Sequence, residues 1–282
     1  MPAERYRGRY VQNRPLRERM RAGSTLIGAF VFLPNPSVIE ILAEAGLDFF
    51  IVDQEHAPKS WETVENMVRA ADVYGLSVVV RVHENTPQTI VQALETGATG
   101  VALPFVETAE DVRRAIGAAR YAPAGRRGTC TQTRAARHGA FRTEFAGYAA
   151  ARNEETVLIG LIENRTGVDH IEQIVAVPDG LDAVLLGRAD IASDLGRPGM
   201  SGDPAVVAVC DRVLAAVRQE TARRADGSLF CCITAVYGAK DVSNWRERGS
   251  TIFVAPSDSG LFLDAARAWR NDIAVAARLA PD

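Results

Sequence analysis

The sequence predicts a (β/α)8 barrel. Three observations predict it. Eight apolar segments of strand length alternate with segments of helical character along 282 residues. Those segments are continuously apolar, as parallel strands covered on both faces are. Several of them stop abruptly at ionisable side chains: Asp53-Gln-Glu-His56, Arg81, Glu163 and Asp190. Barrels of this type run about 250 residues as one domain and carry their chemistry at the C-terminal strand ends. A doubly wound open sheet is the alternative. Its dinucleotide-binding version is disfavoured, because no Gly-x-Gly-x-x-Gly follows the first strand.

Residues 1–22 read as a basic N-terminal arm and a short helix, with arginines at 5, 7, 9, 14, 17, 19 and 21. Glu4, Glu18 and the lack of an apolar core argue against a targeting peptide. The barrel domain is expected over 23–282. Thr25 to Phe32 is the first strand, and Asn35 caps a helix stopped by Gly46. Asp48 to Val52 is the second strand. Ser60 caps the next helix, whose Glu62 and Glu65 suit the positive end of its dipole. Ser77 to Val82 is the third strand. Thr86-Pro87 opens a helix, with proline tolerated in the first turn. Val101 to Leu103 is the fourth strand, followed by a helix from Thr108.

Residues 121–150 break the rhythm and read as a long functional loop. Strand five is Thr156 to Ile162, followed by a helix from Thr166 to Val177. Leu181 to Leu186 is strand six, running into Gly187-Arg-Ala-Asp190 and a short helix at 191–195 capped by Asp190. A glycine-rich loop at 195–203 precedes a long helix from Pro204. Leu229 to Ile233 and Thr251 to Ala255 complete the strands, separated by a helix at 240–248. Ser257 or Asp258 caps a last helix reaching Leu279.

A formal charge of −3 gives no electrostatic case for nucleic acid or an anionic membrane. No apolar run approaches the roughly 20 residues of a membrane helix. The cysteines, 130, 210, 231 and 232, contain no Cys-x-x-Cys. They read as reduced thiols, which suits a cytoplasmic protein.

Glu163 and Asp190 end consecutive strands, and neighbouring strands lie roughly 4.8 Å apart. Two carboxylates with open positions suit Mg²⁺ or Mn²⁺. They equally describe a glycosidase pair. The structural alternatives are a helix cap or an Arg165 ion pair for Glu163, and helix capping by Asp190. Arg81 needs an anion, either substrate or a carboxylate. His56 is a structural histidine or a base oriented by Asp53 and Glu55. His83 reads as a neighbour of the site; His138 and His170 read as surface residues.

Five stretches in order, Asp53-Gln-Glu-His-Ala-Pro58, Val79-Val-Arg81, Ala122-Pro-Ala-Gly-Arg-Arg-Gly128, Ile162-Glu163 and Gly187-x-Ala-Asp190, resemble the HpcH/HpaI aldolases. These are class II pyruvate aldolases of the 2,4-dihydroxyhept-2-enedioate and 2-dehydro-3-deoxyglucarate type. The resemblance covers roughly residues 14–280. It implies a metal-dependent aldolase that cleaves or forms a 4-hydroxy-2-oxo acid from a 2-oxo acid and an aldehyde. It implies Mg²⁺, Mn²⁺ or Co²⁺ on Glu163 and Asp190. His56 linked to Asp53 would move protons, Arg81 would stabilise the enolate, and backbone N–H groups of Gly187, Arg188 and Ala189 would bind the substrate carboxylate. It also implies a homo-oligomer, a hexamer or trimer, with the C-terminal helix exchanged between subunits.

Three positions depart from the family pattern. Leu161 stands where glutamine is common, removing a polar contact. Arg188 replaces proline, and either brings a second positive charge to the substrate or points to solvent. Glu95 replaces the aspartate that reaches the histidine of a neighbouring subunit. The departures keep a second reading open, in which the same enolate serves decarboxylation or one-carbon aldehyde transfer. A non-catalytic barrel is the third.

Overall fold

The computed structural model describes residues 15–277. The expected arm at 1–14 and the expected end of the last helix at 279 lie outside them. Strands β1 (Leu26–Val31), β2 (Phe49–Asp53), β3 (Ser77–Arg81), β4 (Gly100–Leu103), β5 (Val157–Ile162), β6 (Ala183–Leu186), β7 (Cys231–Ala235) and β8 (Ile252–Ala255) close into a barrel in chain order. Every neighbouring pair is parallel, and β8 returns to β1.

Strand geometry explains why the apolar runs are continuous. Successive side chains point to opposite faces, and both faces are covered. Phe49, Ile51, Val79, Ile159, Leu161 and Leu185 fill the barrel interior. Phe50, Val52, Val78, Val80, Leu158 and Leu186 pack under the surrounding helices. Adjacent Cys231 and Cys232 divide in the same way, one to each core. Helix α1 (Leu16–Arg21) adds Leu16 and Met20 to the inner core. Its Arg17 pairs with buried Asp182, just before β6, at 2.7 Å.

The outer helices start where their caps place them. Asn35 accepts from Ser37 N–H ahead of α2 (Pro36–Glu44), and Ser60 accepts from Thr63 N–H ahead of α3 (Trp61–Val73). After α4 (Pro87–Glu95), Thr108 and Asp111 form a reciprocal capping box on α5 (Ala109–Ala119).

Five local expectations need correction. The 121–150 stretch is not all loop: α6 spans Phe145–Glu155. Only its Ala149 is fully buried, so the sequence carries no apolar stripe. It is held instead by aromatic contacts of Phe145 and Tyr148 with Tyr121 and Phe141. The expected helix at 166–177 is two pieces, α7 (Arg165–Asp169) and α8 (Ile171–Val175), broken at His170. That ring is half-buried, with Nδ1 2.9 Å from the Glu107 carbonyl, so His170 is not a free surface residue. Strand β7 begins at Cys231 rather than 229, which puts Ala235 at its end. Helix α9 (Arg188–Asp194) begins earlier than expected, so Asp190 lies in its first turn and does not cap it.

Helices α10 (Pro204–Arg223) and α11 (Ala239–Arg248) return to the barrel wall. The last helix, α12 (Asp258–Ala276), does not: only Asp258 is buried. Its Phe262 and Trp269 are 73% and 68% exposed, as is Ile27 on the outer face of β1 at 56%. An apolar groove of about 620 Å³ lies beside its start, lined by Ile27, Leu47, Val242 and Phe253. Among the described residues no helix is long and apolar enough to cross a membrane.

Candidate active site

The inward alternation of each strand carries directly into the site. Phe49 and Ile51 point inward, so Asp53 does; Val79 is followed by Arg81, and Leu161 by Glu163. Asp53 and Arg81 are register partners on β2 and β3. A cavity of about 280 Å³ opens at these strand ends, lined by His56, Arg81, Leu161, Glu163, Gly187, Arg188, Ala189 and Asp190. That volume sits at the small end of the roughly 300–1,000 Å³ typical of small-molecule sites. The site also contains residues that the sequence reading missed: Phe30, Phe32, Ser201, Ala235, Tyr237 and Pro256. Strand periodicity could have found Phe30; the others lie at strand ends or in loops.

One wall is a closed network. Arg81 donates to both Asp53 oxygens, Nε at 2.9 Å and Nη2 at 2.7 Å, and its Nη1 lies 3.3 Å from Glu55. Its guanidinium sits 4.7 Å from the centre of the Phe30 ring. Backbone N–H groups of Glu55 and His56 also donate to Asp53. Burial pushes the Asp53 carboxyl up, but Arg81 and these amides outweigh it and hold it below its ordinary value. Burial raises the Glu55 carboxyl, against the attraction of Arg81. Lys59 braces the loop from beneath, donating to the carbonyls of Asp53 and Ala57 at 2.5 and 2.8 Å.

His56 is placed differently from expectation. Its backbone N–H reaches Asp53 at 3.4 Å, but its ring Nε2 lies 3.7 Å from Glu55. Arg81 occupies both Asp53 oxygens, so the carboxylate facing the imidazole is Glu55. The ring is exposed at the cavity mouth. His83 is outside the site and faces Glu84 at 3.6 Å on the surface.

The other wall lacks balancing charge. Glu163 is 3% exposed, and its Oε1 accepts the Phe105 N–H at 2.6 Å. Burial pushes its carboxyl up to about 7; the Phe105 N–H opposes this, while the negative charges of Glu55 and Asp190 add to it. Phe105 holds its N–H in place with a left-handed backbone, φ 48°, rare outside glycine. The carboxylate of Asp190 makes no hydrogen bond or ion pair with the described residues. Arg165 pairs with Asp194 at 3.0 Å, which removes the ion-pair alternative for Glu163. Gly187 follows Leu186, the partner of Ile162. A Cβ at 187 would fall 2.4 Å from the Glu163 Cβ, so only glycine lets β6 end beside Glu163.

The three departures are placed as follows within one chain. Arg188 lines the cavity but does not point to solvent. Its guanidinium binds Asp241 at 3.0 Å and the Ala235 carbonyl, and lies 4.8 Å from the Trp245 ring centre. Glu95 is not among the cavity residues; it binds Arg127 of its own chain at 2.8 Å, leaving Oε2 buried without a hydrogen-bond partner. Leu161, 1% exposed, lines the cavity with an apolar side chain.

The donor set fits a hard divalent cation. No group of three or more metal-ligating side chains occurs among the described residues. Glu163 and Asp190 therefore offer two carboxylates and leave other positions for water and substrate oxygens, the usual arrangement for Mg²⁺. A desolvated carboxylate raised to about 7 by burial beside like charges is stabilised when a cation arrives.

The family model for HpcH/HpaI aldolase/citrate lyase matches residues 26–265. A pyruvate aldolase from Rhizobium etli is 36% identical over 195 residues, covering 69% of this chain and 75% of that protein. A hydroxypyruvate/pyruvate aldolase from Roseovarius nubinhibens is 31% identical over 257 residues, covering 90% and 95%. The crystal structure of an HpcH/HpaI aldolase/citrate lyase family protein from Burkholderia cenocepacia superposes with a TM-score of 0.83 at 30% identity, covering 92% and 98%. The chain therefore belongs to the HpcH/HpaI aldolase/citrate lyase family and is an aldolase-type lyase.

Proposed function

We propose that the protein is a class II pyruvate-type aldolase, cleaving or forming a 4-hydroxy-2-oxo acid through a 2-oxo acid enolate and an aldehyde. The observation that carries this is the pairing, across one cavity, of an under-neutralised carboxylate wall with a fixed cation, Arg81. Glu163 and Asp190 would hold Mg²⁺, Mn²⁺ or Co²⁺, which supplies Lewis acidity where enolate charge develops. Arg81, pinned by Asp53, contributes a preorganised positive charge to the same oxygen. His56, exposed at the mouth with Glu55 beside it, takes the proton from the C4 hydroxyl in cleavage and returns it in synthesis. Backbone N–H groups at the start of α9 bind the donor carboxylate, and Gly187 lets them approach. The chain needs no Schiff base: Lys59 is occupied with backbone carbonyls.

The test is exchange of the pyruvate methyl protons in deuterated water, with and without EDTA. Metal-dependent exchange is expected. Absence of exchange with pyruvate and other 2-oxo acids would remove the enolate reading. The decarboxylation reading loses its support from Arg188, which is tied to Asp241, and keeps only Leu161.

We also infer a homo-oligomer in which α12 packs on a neighbouring copy. Its exposed Phe262 and Trp269, beside the empty apolar groove at β1 and β8, support this. Light scattering should give a trimer or hexamer, and deletion of 262–282 should lower the mass. A full-length monomer would contradict it. The free cysteines suit the reducing cytoplasm.

A further inference from the structure

Resting on the aldolase reading above, we propose that the acceptor is an uncharged aldehyde with an apolar or aromatic body, not one carrying a second carboxylate or a polyhydroxylated chain.

Charge around the cavity supports this first. The two arginines that line it are already ion-paired within the protein, and Arg81 is committed to the donor's enolate oxygen on the reading above. Arg81 is held by Asp53 at 2.9 and 2.7 Å and lies 3.3 Å from Glu55. Arg188 is turned to Asp241 at 3.0 Å. The Lys59 amine donates to two backbone carbonyls. The carboxylates that line the cavity, Glu163 and Asp190, have no paired cation among the described residues, and Glu55 adds its negative charge beside Glu163. One divalent cation and the donor carboxylate use up the attraction available. A second substrate carboxylate would be desolvated without a counter-ion.

The barrel order supplies the second argument. Strand ends β2, β3, β5 and β6 carry the charged groups. Strands β7, β8 and β1 are consecutive neighbours and end in Tyr237, Pro256 and Phe32. These residues give that side of the mouth a largely apolar lining, and the charged group that reaches it, Arg188 at the Ala235 carbonyl, is ion-paired to Asp241. Phe32 is fixed there: Asp258, 4% exposed, accepts its N–H at 2.9 Å and that of Leu33 at 3.1 Å. The face of Phe30 is taken by Arg81, whereas Phe32 tilts beside it at 6.4 Å and leaves its ring half-buried at the rim. Tyr237, 77% exposed to water, and Pro256 stand at the rim that the cavity shares with the apolar groove beside α12. A flat apolar body laid on this lining displaces that water and gains ring contacts. Hydroxyls in the lining are limited to Ser201 and Tyr237, too few to replace the hydration of a polyol. The volume of about 280 Å³ limits the body to roughly one small ring.

In the reaction the pyruvate methyl carbon loses a proton to the base and bonds to the aldehyde carbon. The aldehyde oxygen takes up a proton and becomes the C4 hydroxyl. No oxidant or further reactant is needed.

The experiment measures initial rates of aldol addition with pyruvate and three acceptors: benzaldehyde, glyceraldehyde and succinic semialdehyde. The expected kcat/KM is at least about tenfold higher for benzaldehyde than for either polar acceptor. Phe32→Ser and Tyr237→Ser should each reduce that preference by roughly three- to tenfold, the worth of one aromatic contact. Preference for the charged or polyhydroxy aldehyde would overturn the proposal, as would a benzaldehyde preference unmoved by both variants. Pyruvate methyl exchange without any aldehyde separates the two levels. Exchange with the wrong acceptor order sinks only this proposal, whereas no exchange sinks the aldolase reading beneath it.

Discussion

The two walls of the cavity are built from the same residue types and reach opposite electrostatic states. On the β2–β3 side, Asp53, Glu55 and Arg81 satisfy one another, and the network is rigid without any ligand. On the β5–β6 side, Glu163 is more deeply buried than Glu55 yet has one backbone N–H and no paired cation of its own. The difference separates a positioning device from a binding site. On the proposed reading the first wall holds Arg81 in place, and the second would be stabilised by a bound cation.

Breaking the closed wall should have the largest effect. Asp53→Asn removes the anion from a buried Arg81, and such pairs cost about 3 kcal/mol or more when one partner goes. Chemical denaturation should show that loss, and enolate formation should fall with it. A change under about 1 kcal/mol would mean that Arg81 is solvated despite its burial.

The walls should also respond to pH with opposite signs. Asp53 titrates below its ordinary 3.8 in the folded state, so its contribution is present above that value and lost as acid protonates it. Glu163 is raised from 4.5 to about 7, so the folded state holds its proton more tightly than the unfolded. In cation-free protein this group makes stability fall as pH rises from about 4.5 to about 7. Cation affinity moves the other way. It should decline by roughly tenfold per unit as pH drops below about 7, because the proton and the cation compete for one carboxylate. Calorimetric Mn²⁺ titrations at several pH values would show this; a flat profile would place the ligand elsewhere.

The smallest expected effect belongs to Arg188. Arg188→Met removes the Asp241 contact but keeps the stack on Trp245, and should cost about 1–2 kcal/mol of stability. The KM for pyruvate should change less than threefold. A large rise in KM would return Arg188 to the substrate.

Much of this contrast was legible in the sequence, for a simple reason. An inward-pointing series such as Val157, Ile159, Leu161 cannot continue into Glu163 unless the strand has reached a polar cavity. The same logic exposed Asp53 and Arg81. What stayed hidden depends on contacts between distant parts of the chain. The direction of Arg188 is decided by Asp241 and Trp245 on α11. The imidazole of His56 turns to Glu55 because Arg81 already fills Asp53. The support of Glu163 comes from a backbone N–H on β4's exit loop, with Phe105 in a conformation no residue preference announces. Helix α6 escaped because alanines without an apolar stripe carry no period.

The most direct test of the contrast is thermal unfolding of wild-type protein and Glu163→Gln, each stripped with EDTA and then titrated with Mg²⁺ or Mn²⁺. A ligand that binds only the folded state raises stability by RT ln(1 + [L]/Kd), about 2.7 kcal/mol at a hundredfold excess over Kd. The account predicts that wild type gains stability on titration. It predicts that Glu163→Gln is at least as stable as stripped wild type, because it relieves a buried charge, and does not respond to the cation. Equal stabilisation of both proteins by the cation would contradict it.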